Sequence, residues 1–255
     1  MRTAIKYILL DLARNKVILL YALVLAGLSF SLLSLDGNSS KGLLSLLNVT
    51  LLFVPLIAIL FSAVYFFNSI EFTELLLSHP IRRERVIMAE YLAVALSLSA
   101  AYAAGIGLPV LFFAAGAESW MLAGIGVLLT LIFSALALLI FVMSKDKTKG
   151  IGAAIALALF FALLFDGLLI AFIYSFSEYP IDKIAALAIA FNPIDLARVL
   201  MLLQLDAAVL MGYSGALFKK FLGSGTGSIF SLFFMILWVI IPLFFSVRIF
   251  KKKDL

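Results

Sequence analysis

The chain reads as an all-α polytopic membrane protein: six transmembrane helices, an N-terminal interfacial helix, and short outer-face helices before the sixth span. Three observations predict this. Of its 255 residues 65% are hydrophobic and 13% charged, where a soluble domain has about 45–50% apolar and about 25% charged. Six stretches reach the roughly 20 apolar residues that cross a bilayer as a helix, in which every backbone amide is satisfied within its own segment. Finally, fourteen of the nineteen Lys and Arg residues fall on one side of those spans. The four groups are Arg2, Lys6, Arg14 and Lys16; Arg82, Arg83 and Arg85; Lys145, Lys147 and Lys149; and Arg248, Lys251, Lys252 and Lys253. Cationic groups near span ends resist translocation, so this side is expected to be cytoplasmic, with both termini inside.

Residues 1–16 form the first element. Ile5, Ile8, Leu9 and Leu12 recur at i, i+3, i+4, i+7 opposite Tyr7, Asp11 and Arg14, the pattern of an amphipathic helix lying in the interface. The remainder, 17–255, is expected to be a single six-span domain. Its first span, 17–35, exceeds the roughly 7–15 apolar residues of a signal peptide and reads as a retained anchor. The others fall at 43–67, 86–115, 120–143, 150–177 and 227–248. In the third, Ala100, Ala101, Ala104 and Gly105 are small enough for close helix approach. The fifth holds Asp166 near its middle, an intramembrane acid of the kind that by default suggests function. No Lys, Arg or His lies at comparable depth in a span, so a proton, a Tyr or Ser hydroxyl, or the same residue of a second copy remain open as its partner.

Between the second and third spans, Glu71 to Arg85 begins with a short amphipathic helix, 71–79. At 100° per residue Phe72, Leu75, Leu76 and His79 share one face, while Glu71, Glu74 and Ser78 share another. Pro80 ends it by disfavouring helical dihedrals at His79. The helix offers an apolar and acidic knob to a soluble partner. Between the fifth and sixth spans, residues 178–226 include an apolar run from Leu196 to Leu217 that is interrupted by Gly212 and Gly215 and holds Arg198, Gln204 and Asp206. Each charge would cost a few kcal/mol in hydrocarbon, so this segment is expected on the outer face. Asn192 caps a helix with Pro193 at its first position and Asp195 in its first turn, followed by a second helix near 207–222 and a flexible joint at Gly223–Gly227.

Enzyme chemistry is hard to place. There is no cysteine, which removes disulfides, thiolate metal sites and CxxC redox chemistry. The only histidine, His79, lies across the bilayer from Ser214, which is thus left without the base a serine nucleophile needs. No phosphate-binding G-x-x-x-x-G-K-[ST] occurs. Met201 and Met211 are soft-ion ligands in principle, but core or lipid-facing methionine is the commoner role, and no metal site is expected. The net charge of +5 is explained by orientation and by anionic membrane lipid rather than by nucleic acid.

Thr73-Glu74-Leu75-Leu76-Leu77-Ser78-His79-Pro80-Ile81-Arg82-Arg83 resembles the stretch after the second span in permeases of the ABC-2 class of ABC exporters. There it is a coupling helix that docks into a cleft of the ATPase subunit. The resemblance extends to the interfacial N-terminal helix, the six spans and the outer helices, and so covers essentially the whole chain. It implies a transport subunit, not an enzyme, in a bacterial inner membrane. It further implies a second copy of the chain and two copies of an ABC ATPase, which would hold ATP and Mg while this chain holds no cofactor. Carried onto this sequence, the ATPase interface comprises Glu71, Phe72, Glu74, Leu75, Leu76 and Ser78, flanked by Arg82, Arg83 and Glu84 and by Lys145 and Lys147 of the loop Ser144–Gly150.

Phe191-Asn192-Pro193-Ile194-Asp195-Leu196-Ala197-Arg198 and Leu210-Met211-Gly212-Tyr213-Ser214-Gly215-Ala216-Leu217-Phe218 are similar to the outer segment of those ABC-2 permeases that serve maturation of the copper centres of nitrous oxide reductase. That resemblance implies a periplasmic β-helical accessory protein. It makes Asn192, Pro193, Asp195, Arg198, Met211 and Tyr213 candidates for a periplasmic gate or partner docking. A general exporter of lipid, peptide or drug and an ATPase-independent scaffold stay open as alternatives.

Overall fold

The computed structural model describes residues 8–12, 14–35, 39–78, 82–113, 116–176, 188–204 and 212–252. Among the described residues there is no strand. Asn15 opens the first long helix, α1 (Lys16–Leu35), by accepting the Val17 amide on its side chain at 2.9 Å, which satisfies one of the donors a helix start leaves over. Next come α2 (Ser39–Asn68), with Pro55 inside it, and the short α3 (Ile70–Leu77). The third span is α4 (Arg83–Tyr102), a π-turn (Ala103–Gly107) and α5 (Leu108–Phe113). The fourth is α6 (Ala117–Met143). The fifth has the same build as the third: α7 (Lys147–Leu159), a π-turn (Phe160–Leu164) and α8 (Phe165–Ser175). Then come α9 (Pro193–Gln204) and α10 (Gly212–Lys252).

Among the described residues, six helical stretches are long and apolar enough to span a membrane, from Lys16–Ser34 to Gly225–Lys252, each close to its expected position. Two contacts bring together one set of span ends: Lys147 Nζ donates to Asn68 Oδ1 at 2.6 Å, and Lys251 pairs with Glu84 at 2.7 Å. This is the basic end of the bundle, and the opposite one is the far end.

Packing depends on small residues where helices cross closely. A side chain at Gly126 would overlap the Tyr102 ring, which leans across α6 so that its hydroxyl donates to the Leu122 carbonyl at 3.0 Å. A Cβ on Gly105 would come within 2.8 Å of the Ala22 carbonyl, so α1 and the third span touch backbone to backbone there. The π-turn leaves the Gly105 carbonyl to accept a hydrogen bond from the Ser29 hydroxyl at 2.8 Å. Ser62 and Ser134 join α2 to α6 at 3.0 Å. Of the N-terminal helix, 8–12 is described; Ile8 and Leu12 are buried, as its apolar stripe requires, and Asp11 faces out.

Three expectations change. The expected joint at Gly223–Gly227 is helical, and the described part of the expected second outer helix belongs to the same element, α10, 41 residues long. Helix propagation adds one hydrogen bond for each residue fixed, which outweighs a glycine penalty of about 1 kcal/mol apiece. Second, α9 does not stand free of the spans. It enters the bundle against α6 and α10, with Leu196, Ala197, Leu200 and Met201 fully buried. Third, Asp166 lies nineteen residues beyond Lys147, roughly 28 Å at the helical rise, and so in the far third of its span rather than the middle.

Candidate functional site

At the basic end, α2 stops at Asn68 and α3 starts at Ile70, with a bend at Ser69 between them. The backbone ladder continues through the bend: Ser69 N–H donates to the Tyr65 carbonyl at 2.9 Å and Thr73 N–H to the Ser69 carbonyl at 2.8 Å. Thr73 is buried, and Ile70 and Leu77 pack on the core, so one face of α3 is anchored. The opposite face carries Phe72, 43% exposed, and Leu75, 61% exposed, beside exposed Glu71, Glu74 and Ser78. Leu76 is half-buried. The apolar and acidic knob expected from the spacing therefore exists, with Phe72 and Leu75 at its tip. His79, Pro80 and Ile81 lie outside the described residues.

The flanking loops are fastened to α10 and to the end of α2. Arg82 and Arg83 are exposed, while exposed Glu84 spends its carboxylate on Lys251 of α10. Lys145 is exposed; Lys147, expected beside it as an ATPase contact, is also exposed and bonds Asn68 at the α2 terminus. Asp146 caps α7 by accepting the Thr148 and Lys149 amides at 2.7 and 3.1 Å. Gly150 lies against the Phe67 ring so closely that any added Cβ would overlap it. The 144–150 loop is thus fixed to the end of α2, just before the bend that leads into α3. Spacing alone missed Asn68, Asp146 and Gly150 because their roles lie in contacts between elements.

A second omission is larger. Glu90 of α4 is fully buried and accepts a hydrogen bond from the Thr73 hydroxyl. The rule that singled out Asp166 applies equally to this acid, which lies within the third apolar run.

The far end is built around Asn192. Its side-chain oxygen accepts the Ile194 amide at 3.0 Å, capping α9 as expected. Its Nδ2 donates to the Phe161 carbonyl at 3.1 Å, in the second π-turn, and to Asp195 Oδ2 at 2.9 Å. Arg198 Nη1 donates to Asp195 at 3.1 Å and to Asp166 at 2.9 Å. So Asp166 has a partner among none of those expected: the cation comes from α9, six residues past its Asn192 cap. Trp238 of α10 closes the base by donating from Nε1 to the Ala190 carbonyl at 3.0 Å, with its ring edge-on to Phe161.

Asn192, Pro193 and Asp195 are buried in this network and Arg198 is half-buried, so these candidates face the bundle and do not present a docking surface. Met211 and the Tyr213 side chain lie outside the described residues, as do His79 and the Ser214 side chain. Met201 is a fully buried core residue. Among the described residues no group of three or more acids or histidines gathers as for a metal ion.

Two comparisons bear on this arrangement. The probable ABC transporter permease protein NosY of Pseudomonas aeruginosa is 29% identical over 184 residues, a match covering 66% of this chain and 66% of that relative, just under two thirds of its length. The sequence profile of the ABC-2 family transporter proteins matches residues 10–255. With a match that runs from the N-terminal helix through both polar clusters to the last residue, the chain belongs to the ABC-2 family of transporter proteins.

Proposed function

We propose that this permease works as a homodimer with two ATPase subunits in a bacterial inner membrane, with both termini cytoplasmic. ATP and Mg are held by the ATPase, and this chain binds no cofactor. α3, within the 71–79 segment, is the coupling helix. The observation that carries this reading is the outward face of α3, with Phe72 and Leu75 exposed between Glu71 and Glu74 while Thr73 is buried behind them. An exposed apolar pair rimmed by acids suits a cleft in a soluble partner. Clustering of the basic span ends around α3 supports the cytoplasmic assignment. In this reading 178–226 is periplasmic, and the Asn192, Asp195, Arg198 and Asp166 network seats α9 as part of a far-end gate. The test is Glu71→Arg with Glu74→Arg: the ATPase subunit should no longer co-purify while the permease still inserts. Recovery of the ATPase in its ordinary ratio would sink the reading.

For cargo and pathway, the chain's likeness to NosY and the residues 191–198 and 210–218 support a place in maturation of the copper sites of nitrous oxide reductase, beside a periplasmic β-helical protein. Deleting the gene should then leave that reductase without its copper absorption bands while the polypeptide accumulates. A reductase with its full copper signal in the deletion strain would return the chain to general export of lipid, peptide or drug.

A further inference from the structure

The assignment of α3 as the coupling helix leaves open how its movement reaches the spans. Thr73 and Glu90 supply the link. Thr73 is on the anchored face of α3, 2% exposed, and Glu90 is on α4, 0% exposed. The Thr73 hydroxyl donates to Glu90 Oε1, joining residues seventeen positions apart on either side of the basic loop. Oε2 of Glu90 has no hydrogen-bond partner, and among the described residues no cation pairs with this acid. A buried carboxyl group with a single donor is costly to strip further, because the penalty for an unsatisfied buried group exceeds the gain from an ordinary hydrogen bond. Thr73 also has the Ser69 carbonyl within reach, 2.9 Å from its Oγ1. One hydroxyl proton faces two acceptors. Directed at Glu90 it holds α3 on α4, and directed at Ser69 it closes the bend and leaves α3 tied to α2 alone.

We propose that Glu90 is a positioning residue: through the Thr73 hydroxyl it makes α4 follow the coupling helix, so that displacement of α3 by the ATPase becomes displacement of the third span. Glu90 sits seven residues past the start of α4, roughly 10 Å along it. Beyond it the same span runs without a break in helicity to the Gly105 turn that contacts α1. A pull at Glu90 is therefore delivered to the opposite end of the span. This proposal rests on the coupling assignment and adds to it the residue that transmits the force.

The experiment uses the assembled permease and ATPase complex. Since the chain has no cysteine, Arg85→Cys and Lys149→Cys place spin labels on α4 and α7 with no other site in this chain, the permease being labelled before the ATPase is added. With both labels present, ATP should shift the distance between them in the parent. In Thr73→Val and Glu90→Leu the ATPase should co-purify in the parent's ratio, the ATP-dependent shift should vanish, and hydrolysis should fall about fivefold or more. Glu90→Gln, which still accepts the Thr73 proton, should restore both. Should Glu90→Leu fail to insert, Thr73→Val decides alone, since it deletes only the hydroxyl. A parent-like shift and rate in Thr73→Val, or a Glu90→Gln variant as impaired as Glu90→Leu, overturns the proposal while leaving the docking assignment intact. Undiminished co-purification of the Glu71→Arg, Glu74→Arg variant overturns the docking assignment and this proposal with it.

Discussion

The two ends of the bundle treat their charges in opposite ways. At the basic end most described charges point outward, as do Glu84 and Lys251, which pair with each other, and buried Glu90 takes its hydrogen bond from a neutral hydroxyl, that of Thr73. At the far end two acids, an arginine and an asparagine turn inward and share their hydrogen bonds. Exposed charges give up little when they exchange partners, whereas an inward network loses several contacts at once when one member leaves. The first arrangement suits a surface that must grip and release another subunit. The second suits an element that must hold its place.

That contrast can be broken experimentally, beginning where the effect is greatest. Arg198→Leu strands two acids and should destabilise the detergent-solubilised protein by about 2–3 kcal/mol, below the value for a fully buried pair because the site is partly open. Adding Asp166→Asn and Asp195→Asn should recover most of that loss in thermal unfolding. If the triple variant melts where Arg198→Leu does, the network is not electrostatic in origin. Gly150→Leu forces a side chain into the Phe67 ring and should cost about 2 kcal/mol. It should also free the 144–150 loop from the end of α2, seen as faster proteolysis at Lys145 and Lys147. Asn192→Ala removes both the α9 cap and the donor to Phe161, and should cost about 1.5 kcal/mol by the same melting assay. Asp146→Ala removes an exposed cap and should cost about 1 kcal/mol or less. Neutralising Lys251 as Lys251→Met should shift unfolding least, by about 0–1 kcal/mol, and less still at high salt. A loss there as large as that at Arg198 would erase the distinction between the two ends.

The spans and α3 were legible because their signals are local: run length for the first, an acidic face beside an apolar one for the second. The end of the bundle to which α3 belongs followed from the lysines and arginines. What stayed hidden was everything made by two segments meeting. Asp166 and Arg198 are 32 positions apart, and nothing in either run marks the other as partner. The charges of the apolar stretch around Arg198 mark it as no span, and no spacing rule shows that this stretch packs against α6 and α10 with Arg198 paired to two acids. Glu90 was visible by the same reasoning as Asp166, yet it lay near the start of its span, where an acid looks like part of the flanking loop. The glycines at 223–227 resemble a hinge by composition and are helical by cooperativity. Neither π-turn has a compositional marker: Ala-Ala-Gly-Ile-Gly and Phe-Phe-Ala-Leu-Leu have little in common.

The second of those turns bears on how the family varies. A π-turn holds one residue more than the α-turn it replaces. Removing any one residue from 160–164 would restore an unbroken α-helix with the two halves of the span still nearly in register, because the wide turn already absorbs the extra residue. Asp166 would keep its side of the span, but the Phe161 carbonyl would return to its own helix and leave Asn192 without it. A one-residue gap at this stretch in a relative should therefore travel with loss of the asparagine at 192. The length of the fifth span, more than the identity of any side chain in it, would then record whether α9 is fastened.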